Sequence, residues 1–556
     1  MVAQRSTRSA IHDPRDKRLG KLQRKRKQLT LTAGLIIILL ALVVFVTTSD
    51  LIDFESKNVA AQPVEQRRDP FEPQPDPADL AVIIPSEQEE EAVIEVTPES
   101  HEALDPLVIA NIPTQAHLIQ YEESAPILYY AQSGDSIGVL AVRFAVEASE
   151  ITSTTPLPEE GFIPEGQLLL IPNRLEQTSS NLKLFPDSEV VNSPSSIGFD
   201  TRAFIEQAGG YLAGYSELVY ANGRLDSGQI IDKVAMEYAI HPRLLLALLE
   251  FRSGWVYGSG PTNDFDRYYP LGIEIDAAGL YHQLVAAAGV VESGYYGWRE
   301  GTVVTAEFLN GWELRLAAEL NCGSVGLMQF FAGLYRFEDW SNVLYGENGF
   351  LATYEGMFGD PWLIAQEYEP LFTTDVLQPE LLLPFEPGIT WSYTVGPHAA
   401  WGAADVRAAL DFAPPAAEVG CHTNWTWVTS AGPGLVVRSE DGTVVVDMDG
   451  DGYEQTGWNI IYLHVAEVNR VAVGTWLEPG DKIGHPSCEG GRSTGTHLHI
   501  ARKYNGEWVP AEGPLAFVMS GWKTKAGSDF LAGWLVRGEE VIKASVYGAQ
   551  ASHISR

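Results

Sequence analysis

The sequence predicts a multidomain chain. In order, it should carry a single N-terminal transmembrane helix, a small α+β module, a mainly α-helical middle region and a mainly antiparallel β C-terminal region. Three observations predict this. Leu29–Ser49 carries no charge and is dense in Leu, Ile and Val. The stretch after it, to about residue 125, is rich in Pro, Glu, Asp and Gln and poor in aromatics. After residue 385 the apolar residues change from helical spacing to short alternating runs divided by Gly turns.

The basic block 1–28 ends in Arg24, Lys25, Arg26 and Lys27 and contains only Asp13 and Asp16 as acids. About twenty apolar residues span a bilayer as a helix. Residues 29–49 are therefore expected to cross the membrane, with the basic tail cytoplasmic and the rest extracytoplasmic. A cleavable signal peptide would have a shorter apolar region and a small-residue cleavage site, whereas TTSDLIDFE follows here. Residues 50–125 cannot bury enough apolar surface to fold and read as an acidic, Pro-rich spacer. The whole chain of 556 residues carries a formal charge of -36. That excludes a nucleic-acid partner, which needs a basic face.

Residues 126–174 read as a strand, a Gly-Asp turn, an amphipathic helix with Ile137, Leu140, Ala141 and Phe144 on one face, and a returning strand. Ser133-Gly134-Asp135-Ser136, Ala141 with Arg143-Phe144, and Gly166 to Pro172 together resemble the LysM module. The resemblance implies binding of N-acetylglucosamine-containing glycans, with Gly134, Asp135 and Ser136 as glycan-binding residues. The Asn usual after the first helix is absent where Thr154-Thr155-Pro156 stand. Residues 175–200, broken by Ser and Pro, read as a second linker.

Residues 201–385 are expected to be helical, with clear periodicity in 229–255 and in WELRLAAEL, 312–320. LLLALLEFRSGW and Gly326-Leu327-Met328-Gln329 faintly resemble lysozyme-like lytic transglycosylases. The place of that family's catalytic acid, just before the Ser, is held by Arg252. A guanidinium gives up no proton near neutral pH. Glu250 is about 200° around the helix from that place. The region is read as non-catalytic, glycan-holding or structural.

In residues 386–545 the run GLVVRSEDGTVVVDMDGDG, NIIYLHVAEV, WLEPGDKIG and HLHIARKYNGEWV has a strand pattern. His is sparse, 12 in the chain, yet His398, His464, His497 and His499 fall in this region, with Asp411. Two residues apart in a strand, His497 and His499 point to one face, and Leu498 and Ile500 to the other. Neutral imidazoles with a carboxylate suit Zn²⁺, which keeps three protein ligands and an open position in catalytic sites.

STGTHLHIARKYNGEWVPA, Tyr462-Leu463-His464, LEPGDKIG and LDFAPP resemble the lysostaphin-like and LytM-like zinc endopeptidases of the cell wall, over about 388–515. The resemblance implies that His398, Asp411 and His499 bind Zn²⁺, that His464 and His497 are catalytic beside it, and that the substrate is peptidoglycan. Twelve residues separate His398 from Asp411, where the family usually has only a few. Asp405 is the rival ligand, and its flanks do not match. His422 and His485 are read as bystanders. DMDGDGYEQ (447–455) reads either as a calcium loop, although Trp458 stands at its twelfth position, or as a polar hairpin turn. Of Cys322, Cys421 and Cys488, the last two could pair or stay free thiols. The expected activity is a membrane-anchored zinc metalloendopeptidase of wall remodelling; the alternative is a non-enzymatic peptidoglycan-binding scaffold or activator.

Overall fold

In the computed structural model the described residues are 118–120 and 125–556, without 221, 276, 403–405, 417–419 and 530. The basic tail 1–28, the apolar segment 29–49 and nearly all of the spacer 50–125 lie outside them. Among the described residues no helix is long and apolar enough to cross a membrane.

The first module has the antiparallel strands Ile127–Tyr130, Leu168–Ile171 and Thr152–Ser153, in that order across the sheet. Helix Ile137–Phe144 lays Leu140, Ala141 and Phe144 on this sheet and stops at Ala145, whose φ of 55° is left-handed. Ala318, from the next region, completes the module's small core.

Residues 175–200 are not a linker. Leu184, Phe185, Val190 and Val191 are buried in the main core. The Ser and Pro residues make two 3₁₀ turns, Asp187–Glu189 and Pro194–Ser196, rather than a free spacer. Asp187 Oδ1 accepts from Gly323 N–H at 2.7 Å and from the Asn321 amide at 2.7 Å, satisfying the start of helix Cys322–Leu334.

The stretch 229–255 forms two helices, Ser227–Glu237 and Pro242–Ser253. The break is local chemistry: Ala239 turns left-handed, His241 Nδ1 accepts the Arg243 N–H, and Pro242 starts the second helix where its missing N–H costs nothing. The long helix Leu280–Glu300 packs against Cys322–Leu334. Helical periodicity misleads in WELRLAAEL: Glu313–Arg315 is a strand paired with Thr305–Glu307 across a turn at Gly311, φ 77°. Leu316, Ala317 and Leu320 are nonetheless buried.

The C-terminal region is built on a nine-stranded antiparallel sheet. Its central strands run Gly434–Glu440, Thr443–Asp447, Trp458–Leu463, Leu498–Tyr504, Arg407–Ala413 and Trp391–Ala399. Val444, Val446, Ile460, Tyr462, Leu410, Phe412, Leu498 and Ile500 face this region's own core. By the two-residue period, Val445, Ile461, Ala409 and Ala501 face the other way, and they pack against the helical region. Asp411 and His499 therefore stand on the sheet face that the helices flank. The region runs beyond the expected limits of 386 and 545, because Leu381 and Leu383 enter its core and His553–Ile554 pairs with Trp391–Ser392.

Candidate metal centre

The long spacing between His398 and Asp411 is a hairpin. Trp391–Ala399 turns back into Arg407–Ala413, with His398 opposite Ala409 and irregular register on either side. Asp411 pairs with His499, and His499 pairs with Leu463 on its other side. Two strand neighbours and one hairpin thus bring together residues 101 positions apart in the chain. Asp405, the rival ligand, lies outside the described residues.

The three donor atoms form a nearly regular triangle. His398 Nε2 is 3.2 Å from Asp411 Oδ1, His499 Nδ1 is 3.2 Å from the same oxygen, and the two nitrogens are 3.1 Å apart. A tetrahedral ion about 2.0–2.2 Å from each donor needs donor separations of roughly 3.3–3.6 Å, so the triangle fits within a few tenths of an ångström.

The outer hydrogen bonds fix the tautomers. His398 Nδ1 is 2.9 Å from Gly396 O, and His499 Nε2 is 2.9 Å from Ala400 O. A carbonyl only accepts, so both of those nitrogens carry the proton and donate it. His398 Nε2 and His499 Nδ1 are left as lone pairs, aimed at each other and at Asp411 Oδ1. That oxygen is buried and has no hydrogen-bond partner. Three lone pairs converging in a buried place repel one another unless a cation sits among them. His398, Asp411 and His499 form a group able to hold a metal ion, and two nitrogens plus one carboxylate are a zinc donor set.

The other two imidazoles follow the same design. His464 Nδ1 donates to Glu489 O at 2.8 Å, and His497 Nδ1 donates to Gly495 O at 2.8 Å. The Nε2 of His497 lies 3.4 Å from Asp411 Oδ2. The rings of His464 and His497 are 4.5 Å apart, and His464 is 6.2 Å from His499. His464 ends its strand at a φ of 66°, a left-handed conformation uncommon for residues other than glycine. Burial, helped by His497 and His499, pushes the His464 pKa down to about 3. Burial alone would raise the Asp411 carboxyl, but the facing His398 and His497 outweigh it and hold it well below the usual range.

Other sequence candidates lie elsewhere. Asp135 is buried, with Oδ1 2.9 Å from Arg143 Nη1 and Oδ2 accepting from Tyr129 OH at 2.6 Å and Gln132 N–H at 2.7 Å. Gly134 lies under the Arg299 guanidinium, where a Cβ would collide with Nη1, and Ser136 is half-buried. The Gly134–Ser136 turn is thus a joint with the helical region. Glu250 accepts from the Val256 and Tyr257 N–H groups, and Arg252 donates to Leu271 O at 2.9 Å. Gln329 borders a cavity of about 630 Å³ between helix Leu280–Glu300 and residues 302–313. His485 is packed on Trp427 and donates to Thr426 O. Asp447, at the start of the 447–455 loop, accepts from the N–H groups of Asp449, Gly450 and Gly452, as a polar turn does, and its carboxylate gathers with those of Asp449 and Asp451 closely enough for one cation. Cys421 and Cys488 form a disulfide, and Cys322 is a buried free thiol.

The donor set defines a His-Asp-His centre able to hold zinc. The chain is similar in part to several known proteins. A sequence model of the family described as "LasA, N-terminal domain" matches residues 183–371, the helical region with part of the supposed linker. "Protease LasA" of Pseudomonas aeruginosa (strain UCBPP-PA14) is 25% identical over 344 residues, which are 57% of this chain and 73% of that protein. Among solved structures, "A Novel M23 Metalloprotease Pseudoalterin from Deep-sea" is 23% identical, covers 30% of this chain and 96% of its own, and has a TM-score of 0.25. The catalytic domain of lysostaphin from Staphylococcus simulans is 20% identical, with 23% and 89% covered and a TM-score of 0.16. Over the matched residues the chain is similar to LasA.

The sequence showed every side chain of the centre but none of its carbonyl acceptors. Gly396, Ala400, Glu489 and Gly495 act through their backbones, which any residue supplies, so no residue-type signal could have found them.

Proposed function

We propose that this protein is a membrane-anchored, extracytoplasmic zinc endopeptidase that hydrolyses peptide bonds of peptidoglycan. The observation that carries the reading is the set of four imidazoles, each with one N–H spent on a backbone carbonyl, three of them with the other nitrogen within 3.4 Å of an Asp411 oxygen. His398, Asp411 and His499 would hold the zinc. When bound, it supplies the Lewis acidity that activates water and polarises a scissile carbonyl. His464 and His497 flank that place without belonging to the triangle. Each offers Nε2, and the carbonyl behind each ring keeps the opposite nitrogen protonated. One inward nitrogen takes a proton from the attacking water. The ring so protonated then stabilises the developing oxyanion and returns that proton to the leaving amine. Peptide hydrolysis is supported by the relative named as a protease. The peptidoglycan substrate rests on the wall-endopeptidase motifs around His464 and His497.

The anchor in this reading is the uncharged segment 29–49, with the acidic spacer holding the folded part away from the bilayer. The small module 126–174 would add glycan affinity and raise the local concentration of substrate. For its Gly134–Ser136 turn to take glycan, the turn would have to leave the joint it makes with Arg299.

The test is metal content and wall digestion by the full chain, beside His499→Ala and Asp411→Ala. One zinc per chain, new amino termini in digested peptidoglycan, and loss of both in the variants are expected. Metal-free wild-type protein that still binds peptidoglycan without cutting it would replace this reading with the scaffold one.

A further inference from the structure

The two halves of the centre are held by different parts of the chain. His398, Asp411 and His499 sit inside three paired strands, and their ring N–H groups bond to Gly396 and Ala400 in the same hairpin. His464 and His497 have left or not yet entered their strands, which cover Trp458–Leu463 and Leu498–Tyr504. The support of His464 comes from residues 487–489. Ser487 N–H and Oγ both donate to His464 O, at 2.7 and 3.1 Å, and Glu489 O receives the ring N–H. His497 N–H reaches Ser487 O at 3.4 Å. Glu489 N–H is itself tied to Ser487 Oγ at 3.1 Å.

Cys488 is the residue between these two supports. Its disulfide partner, Cys421, stands in a segment bonded to the residue before His497: Thr496 N–H donates to Gly420 O at 3.1 Å, and His422 N–H donates to Thr496 Oγ1 at 3.0 Å. The bond therefore ties the strap behind His464 to the strap behind His497. It touches neither the hairpin nor the strand pairs that carry the metal ligands.

Resting on the reading that His464 and His497 move protons, we propose that the Cys421–Cys488 disulfide is a positioning clamp for that pair, so that turnover depends on its oxidation state while metal binding does not. Cys421 is exposed and Cys488 half-buried, so a reductant can reach the bond. With a water-soluble tertiary phosphine, phosphorus attacks one sulfur as the S–S bond breaks. Water then hydrolyses the phosphorus–sulfur adduct, giving phosphine oxide and two thiols. The Glu489 carbonyl is then free to swing away, and neutral His464 can place its proton on either ring nitrogen.

The experiment uses the full chain with zinc, oxidised, phosphine-reduced, and as the Cys421→Ser/Cys488→Ser double variant, which leaves no thiol at the two straps to bind metal. Zinc content, kcat and KM on peptidoglycan, and ¹⁵N resonances of selectively labelled histidines are read together. Expected are unchanged zinc, a kcat about 10–100-fold lower, a partial loss of the roughly 10²–10⁴-fold that acid–base catalysis contributes, little change in KM, and loss of the fixed Nδ1–H signature of His464. The proposal is overturned if kcat and the His464 signature stay as in the oxidised chain, or if zinc is lost together with activity. His464→Ala and His497→Ala with the disulfide intact separate this from the reading beneath it. If they keep full kcat, the proton-transfer roles fail, whereas the His464 signature still reports the clamp.

Discussion

Asp135 offers the sharpest test of whether a motif residue serves a ligand or the fold. Its side chain is 3% exposed, as is that of Arg143, and the two are 2.9 Å apart. Asp135→Ala removes three partners at once: the Arg143 guanidinium, the Tyr129 hydroxyl and the Gln132 N–H. Removing one member of a buried ion pair costs about 3–5 kcal/mol, because the other charge stays buried. Arg143 keeps two bonds to Trp298 O, at 3.3 and 2.8 Å, so the lower end applies. About 3 kcal/mol is expected, plus roughly 1 kcal/mol for the orphaned Tyr129 hydroxyl. Asp135→Asn keeps the shape and should cost about half as much. The assay is urea denaturation of the folded chain, with limited proteolysis to locate loosening in residues 126–174. A change below about 0.5 kcal/mol in Asp135→Ala, typical of a free surface site, together with weaker glycan binding, would refute the structural role.

Three further outcomes are expected. His398→Ala and Asp411→Ala should each lose stoichiometric zinc in atomic absorption, and His464→Ala should keep it, because its nitrogen lies outside the donor triangle. Glu292, buried on helix Leu280–Glu300 with both carboxyl oxygens unpartnered, has its pKa raised well above normal by burial. The folded chain therefore keeps a proton that the unfolded chain releases above about pH 4.3, so stability is fullest below that pH and falls by up to about 1.4 kcal/mol per pH unit toward the raised folded pKa. Glu292→Gln should flatten that slope when urea midpoints are compared at about pH 5 and 8. Leu498→Ala, which hollows the core directly beneath the centre, should cost about 2–5 kcal/mol in denaturant unfolding.

Much of the centre was legible because strand chemistry is local. The alternation in HLHIARKY alone places His499 on one face and Leu498 and Ile500 on the other, as the structure has them. The helical character of 229–255 was likewise legible in its periodicity, whereas its division into two helices came from the structure. Where the sequence misled, the same apolar spacing was compatible with two answers. Leu316, Ala317 and Leu320 are buried, but the turn at Gly311 makes the preceding residues a hairpin. The Ser and Pro residues of 175–200 looked like a spacer because they break helices, and they do, yet the Leu-Phe and Val-Val pairs between them enter the core.

By itself the sequence determined which side chains the centre contains, the β character around them and the apolar segment near the N-terminus, since residue type and period are properties of short stretches. Only the tertiary structure decided that a hairpin absorbs the long His398–Asp411 spacing, that the Gly134–Ser136 turn is used as a joint, that Cys421 pairs with Cys488, and that backbone carbonyls set every tautomer at the centre. Each of these depends on a partner far away in the chain or on a group that all residues share, and neither leaves a mark in residue type or spacing.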